Sequence, residues 1–143
     1  ASCPAEQLNP QSIRPYPWGE DPPTCNLVNY EYLPNSSCTE YDGKGDTDEI
    51  SSRPGGNSPY GIFNLAGNAS EWTYDYYSAD YYSVSPASNP TGPSEGTERA
   101  VRGGGFDDSD YYTSFRDQAA PDSLSLSRGF RCARDSFPPY PAP

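Results

Sequence analysis

The chain of 143 residues contains no histidine. That absence removes Ser-His-Asp catalysis, Cys/His zinc fingers and every iron site built on imidazole from this chain. Its four cysteines, Cys3, Cys25, Cys38 and Cys132, include no C-x-x-C pair, so disulfides in an oxidising compartment are favoured over metal–thiolate chemistry. Basic residues are scarce as well: 9 Lys and Arg stand against 20 Asp and Glu, for a formal charge of −11 and a pI near 4.1. Nucleic-acid phosphates need a basic face, so nucleic acid is excluded as a partner. No apolar run approaches the length of a membrane span, and no secretory signal is visible. Beginning at Ala1-Ser2-Cys3, the chain reads as processed or cut. Aliphatic residues are thin: Leu, Ile, Val and Phe together number 17, a share typical of disordered chains.

Disorder is nevertheless the wrong reading, because 13 Tyr, 2 Trp and 5 Phe carry large buried payloads. The expectation is one loop-rich domain over residues 1–143, stapled by its cysteines, with a proline-rich tail at 136–143. Four cysteines allow three pairings, and spacing alone does not choose among them. Residues 1–24 are Pro-rich, and 25–59 read as polar coil containing the acidic run Asp42 to Glu49, expected to be a solvated loop. Alternating Trp72, Tyr74 and Tyr76 predict a strand over Ser70–Tyr77 with those three rings in the core. Residues 78–98 read as a long loop, Arg99–Arg102 as a strand entering a triple-Gly turn, 107–128 as polar loop and Gly129–Arg134 as a last strand. No amphipathic helix of ordinary length is present.

The densest chemistry lies in Tyr60-Gly61-Ile62-Phe63-Asn64-Leu65-Ala66-Gly67-Asn68-Ala69-Ser70-Glu71-Trp72. Oxygen donors on a Gly-rich loop suit Ca²⁺, which takes six to eight oxygens in flexible geometry. The alternative is a capped turn with Glu71 paired to an arginine. In chain order come Trp18-Gly19, this segment, Arg102-Gly103-Gly104, Pro121-Asp122 and Gly129-Phe130-Arg131-Cys132. That series resembles the sulfatase-modifying factor family, whose founding member is the formylglycine-generating enzyme. The resemblance spans about residues 14–135, the C-terminal half of a family domain.

The resemblance implies an α+β, irregular, loop-rich, C-type-lectin-like fold with short antiparallel strands and little helix. It implies a structural Ca²⁺ at the Asn64 side chain, the Gly67 and Ala69 carbonyls and the Glu71 carboxylate. A second Ca²⁺ site would use Asn29, Tyr30, Asp42 and Lys44. The implied disulfides are Cys3–Cys132 and Cys25–Cys38. The first closes the longer loop, worth about 4–5 kcal/mol in the chain-entropy view.

The chain also departs from the family. The formylglycine-generating enzyme activates oxygen with copper on two cysteines shortly after its Gly-Gly motif. Here that stretch reads Asp107-Asp108-Ser109-Asp110-Tyr111-Tyr112. Thiolates are the soft ligands that select Cu(I). The leading expectation is therefore a non-catalytic, calcium-stabilised binding or structural module. It would be an accessory subunit of an extracytoplasmic assembly, periplasmic, cell-surface or secreted, with a second chain completing the domain.

Exposed aromatics mark the expected ligand or partner surface: Tyr81, Tyr82, Tyr111 and Tyr112, with Asp107, Asp108, Asp110 and Arg116. Adjacent tyrosines on an extended chain cannot both point inward. A protein partner, a small ligand or a glycan would occupy it. Two other readings stand beside this one. The first is an oxidoreductase of the same superfamily, cysteine-independent or completed by another chain. The second is a diversified ligand-binding lectin-fold protein, because residues 107–114 contain only Asp, Ser, Tyr and Thr, all reachable from an Asn codon by changes at adenine.

Overall fold

The computed structural model describes residues 14–30, 46–108 and 110–133. Their regular structure is one four-stranded sheet: β1 (Ser70–Tyr76), β2 (Arg99–Arg102), β3 (Asp117–Ala119) and β4 (Arg128–Gly129). The spatial order is β3-β2-β1-β4. β1 pairs antiparallel with β2, with Trp72 opposite Val101, and β2 pairs antiparallel with β3, with Ala100 opposite Gln118. β4 lies parallel to β1, Ser70 facing Arg128, so the sheet is mixed rather than wholly antiparallel. A single helical turn, α1 (Tyr81–Val84), and a 3-10 turn at Pro54–Gly56 are the helical elements among the described residues.

β1 and β2 form where strands were predicted. β3 does not stand out in the sequence: Asp117-Gln118-Ala119 has no β-branched or aromatic residue. It forms because β2 offers an open edge and Ala119 can be buried against it. The last strand is shorter and earlier than expected, Arg128–Gly129 in place of Gly129–Arg134, and Phe130 to Ala133 run on as exposed chain.

The core is small and lies partly where coil was expected. Val28, Tyr30 and Ala66 form its centre, with Trp18, Cys25 and Tyr111 packed against them. Val28-Asn29-Tyr30 is buried although it belongs to no regular element, because Asn68 N donates to the Asn29 carbonyl at 3.0 Å and holds the segment in place. The described end of the acidic run, from Asp46, is not a free solvated loop. Arg53, buried, pairs with Asp48, and Asn68 Oδ1 accepts the Asp48 amide at 2.6 Å. The rest of that run lies outside the described residues, as does the tail at 136–143.

The three rings expected inside face out or sideways. Tyr74 is 89% exposed. Trp72 lies beneath Arg128, whose guanidinium carbon is 5.0 Å from the ring centroid, and Tyr76 lies beneath Arg99 at 3.7 Å. Arginines therefore cover this face of β1 where a hydrophobic layer was predicted.

Candidate functional site

The site forms where the loop before β1 meets the glycine turn after β2. Asn64, Gly67 and Asn68 all take positive φ, at 48°, 68° and 66°. Glycine and asparagine are the residues that tolerate that backbone, which explains why the loop is spelled with them. Its amides are then spent on neighbours: Gly67 N donates to the Gly103 carbonyl at 2.8 Å, and Phe106 N to the Asn68 carbonyl at 3.0 Å. A Cβ on Gly103 would sit 3.0 Å from the Leu65 carbonyl oxygen, and one on Gly105 2.6 Å from Ser127 Cβ. The three sequence motifs thus touch through backbone that side chains would push apart.

Arg131 closes the loop from outside. Its Nε donates to Glu71 Oε2 at 2.7 Å and Oε1 at 2.8 Å, and its Nη2 also pairs with Oε1. The same Nη2 reaches the carbonyls of Phe63 and Asn64, each at 3.1 Å. One guanidinium therefore bridges residues 60 or more positions away in sequence. The Glu71 hydrogen bond holds the Arg131 pKa above its ordinary value. Glu71 is thus paired to an arginine, the alternative that the sequence left open.

The rest of the expected Ca²⁺ set is less occupied. The Asn64 amide nitrogen is buried without a hydrogen-bond partner among the described residues. The carbonyls of Gly67 and Ala69 accept no turn or side-chain hydrogen bond from any described residue. Among the described residues no three carboxylates or thiolates converge to hold a metal. An ion here would rest mainly on amide and carbonyl oxygens, which suits Ca²⁺ rather than a soft metal.

Of the second calcium set, Asn29 Nδ2 donates to the Asp46 carbonyl at 2.8 Å and to Asn68 Oδ1 at 3.1 Å. Tyr30 is wholly buried, and Asp42 and Lys44 lie outside the described residues. Cys25 is disulfide-bonded, its partner lying outside the described residues. The implied Cys3–Cys132 link is not formed: Cys132 is a free, exposed thiol on the chain that leaves β4, and Cys3 lies outside the described residues.

Just after the glycine turn, Asp108 does structural work. Its Oδ2 accepts the Gly105 amide at 2.6 Å, capping the glycine turn. Asp107 is exposed, and Asp110 is half-buried. Beside them Tyr16 stacks on Trp18 at 5.0 Å, on Tyr112 at 5.4 Å and on Tyr111 at 5.8 Å. Tyr111 meets the Tyr30 ring edge-on at 4.1 Å. Thr113 fastens this layer to the N-terminal segment by donating to the carbonyls of Pro15 and Arg14. Tyr111 is therefore core, while Tyr112 is 45% exposed. Tyr82, 59% exposed, and half-buried Tyr81 lie with Arg116 around a separate pocket. The expected partner surface is divided between two places.

Sequence reasoning quoted Arg131 only as part of a motif. The signal that could have found its role is its place in the chain: Arg131 directly follows β4, whose Gly129 pairs with Glu71. Arg131→Ala is expected to destabilise the protein by about 1–2 kcal/mol, an ion pair of this exposure being screened by solvent. It should also increase proteolytic cutting after β4. Unchanged denaturant midpoint and cutting would show that the pair holds nothing.

Residues 10–136 match the model of the sulfatase-modifying factor enzyme 1-like domain. Over 134 residues the chain is 37% identical to a formylglycine-generating enzyme of Streptomyces coelicolor, covering 86% of this chain and 41% of that protein. It is 36% identical over 93 residues to serine/threonine-protein kinase pkn1 of Chlamydia caviae, covering 62% of this chain and 15% of that one. Among solved structures, Treponema denticola variable protein 1 superposes with a TM-score of 0.56 at 21% identity, over 73% of this chain and 34% of that chain. This likeness bears on the fold alone and agrees with the irregular α+β architecture. The chain spans about two fifths of its Streptomyces relative. By motif order, fold and identity together, the chain belongs to the sulfatase-modifying factor enzyme 1-like family.

Proposed function

We propose that this protein is a non-catalytic, calcium-stabilised binding or structural module, an accessory subunit of an extracytoplasmic assembly. The carrying observation is Asp108. Where the family's copper enzyme needs thiolates, this chain has a carboxylate whose oxygen is committed to the Gly105 amide. Cys132, beyond β4, supplies one thiol, and a lone thiolate does not make the two-coordinate site that Cu(I) favours. The family's domain also occurs in a relative named as a protein kinase, so membership alone does not carry the oxidase reaction.

Leu124, Leu126 and Phe130 are 98%, 95% and 75% exposed around β4. Exposed apolar side chains flanking the edge strand β4 support a second chain, or a further part of the same protein, covering them. Among the described residues no helix is long and apolar enough to cross a membrane.

Calcium would be held by Asn64, Gly67, Ala69 and Glu71, tying the loop together through charge. Glu71 would share its carboxylate with Arg131, so the affinity belongs with the weak, millimolar range of extracellular modules. Calcium at ten times its dissociation constant is expected to add about 1.4 kcal/mol to the unfolding free energy. Asn64→Ala should abolish that increment, and a melting temperature indifferent to millimolar calcium would overturn the calcium part. For the function itself, the protein is incubated with copper and a cysteine-containing peptide, then assayed by metal analysis and peptide mass. No bound copper and an unchanged peptide are the expected result. Stoichiometric copper with an oxidised cysteine would sink the non-catalytic reading in favour of the oxidoreductase.

A further inference from the structure

A pocket of about 110 Å³ is lined by Thr73, Asp75, Arg102, Arg116, Tyr81 and Tyr82 among others. β1 and β2 supply its floor, since Thr73 with Asp75 and Ala100 with Arg102 alternate in period two. Gly92 closes one side, its absent Cβ leaving room for Asp75, which would otherwise be met at 2.7 Å.

Both arginines are held in place by backbone. Arg102 Nη1 donates to the Phe115 carbonyl. Arg116 Nη2 donates to the carbonyls of Ser78 and Ala79 at 3.2 and 3.3 Å. The Arg116 guanidinium also lies 4.3 Å from the Tyr82 ring centroid and 5.2 Å from that of Tyr77. Neither is in an ion pair with a described carboxylate, although Asp75 shares the pocket. In a chain with 20 acidic residues this is unexpected: Arg53 and Arg131 both find carboxylates. The Nε and Nη1 groups of Arg116, and the Nε and Nη2 groups of Arg102, are left without an acceptor among the described residues.

We infer that this pocket binds a small oxyanion, a carboxylate or phosphate group, through the free edges of Arg102 and Arg116. Backbone carbonyls fix both guanidinium planes in advance, so little side-chain freedom is lost on binding. Planar N–H groups match carboxylate and phosphate oxygens two at a time. Thr73 is not a donor here, because its hydroxyl already donates to the Ala100 carbonyl at 3.0 Å. Asp75 repels anions and limits the pocket to compact groups. Tyr81 and Tyr82 at the mouth give the remainder of the ligand an aromatic wall.

The test is titration of the full chain, labelled with ¹⁵N, with sodium acetate and separately with inorganic phosphate, at constant ionic strength set by chloride. Saturable shifts of the Arg102 and Arg116 Nε–H resonances are expected with at least one probe, and the stronger of the two names the source. Arg116→Gln should weaken binding about tenfold or more, the range for a charge-assisted hydrogen bond. Arg116→Lys keeps the charge but loses the fork, and should weaken it also. Arg102→Gln serves where the first variant fails to fold. Shifts that merely track chloride, or binding unchanged in Arg116→Gln and Arg102→Gln, would overturn the inference.

Discussion

Gly67→Ala is expected to destabilise the protein by about 3–4 kcal/mol. Two penalties combine. The residue sits at φ +68°, where a Cβ is strained. That Cβ would also lie 2.5 Å from the Asn29 carbonyl oxygen and closer still to Val28 Cγ2. The oxygen is backbone, already bonded to Asn68 N, so neither neighbour can retreat cheaply. Gly61 provides the control. Its φ is +73°, but nothing lies within 4 Å of its would-be Cβ, so Gly61→Ala should lose only about 1 kcal/mol. The difference between the two, read from urea midpoints at equal slope, isolates the clash. Equal losses would mean that loop and core are not packed as described.

Tyr30 gives the second large effect, with opposite outcomes for two substitutions. The side chain is wholly buried at the centre of the core. Tyr30→Ala should therefore lose about 3–5 kcal/mol, the range for deleting a buried aromatic ring. Its hydroxyl, however, is buried without a hydrogen-bond partner among the described residues. An unsatisfied hydroxyl destabilises, so Tyr30→Phe is expected to be neutral or to gain about 1 kcal/mol. A loss above that size in Tyr30→Phe would prove the hydroxyl bonded.

The same side chain sets an alkaline limit. Burial, then the charge of Asp108, pushes its ionisation far above the ordinary value of 10.0. Burial pushes Tyr16 and Tyr111 the same way. The folded protein keeps these protons where the unfolded chain gives them up. Stability is therefore full below pH 10 and falls as the pH rises beyond it. Tyr30→Phe should soften that fall, measured by thermal unfolding between neutral and strongly alkaline buffer.

What could be read from the sequence was whatever strong local rules dictate. Alternating aromatics gave β1, and glycines with oxygen donors marked the loop before it. The ordered motifs gave the family. What could not be read depends on partners distant in the chain. Val28 to Tyr30 has no pattern of its own and is buried because Asn68 reaches it across 39 residues. Asp117-Gln118-Ala119 is a strand only beside β2. Tyr74 obeys the period of a core residue yet faces solvent, because arginines rather than aliphatic groups cover that side of β1. Cys132 shows the limit of resemblance: the motif transferred, its bond did not.

The parallel seating of β4 against β1 has a consequence for biosynthesis. Ser70 meets Arg128, so the sheet's outer edge is completed by the strand translated last among the four. Until that moment the nascent chain holds β1 with one flank open, and Glu71 lacks its Arg131 partner. Closure over so long a separation is slow relative to hairpin pairing. A ribosome-bound intermediate truncated before Arg128 would thus present a bare strand edge, the form in which a chaperone or a neighbouring copy would meet this protein first.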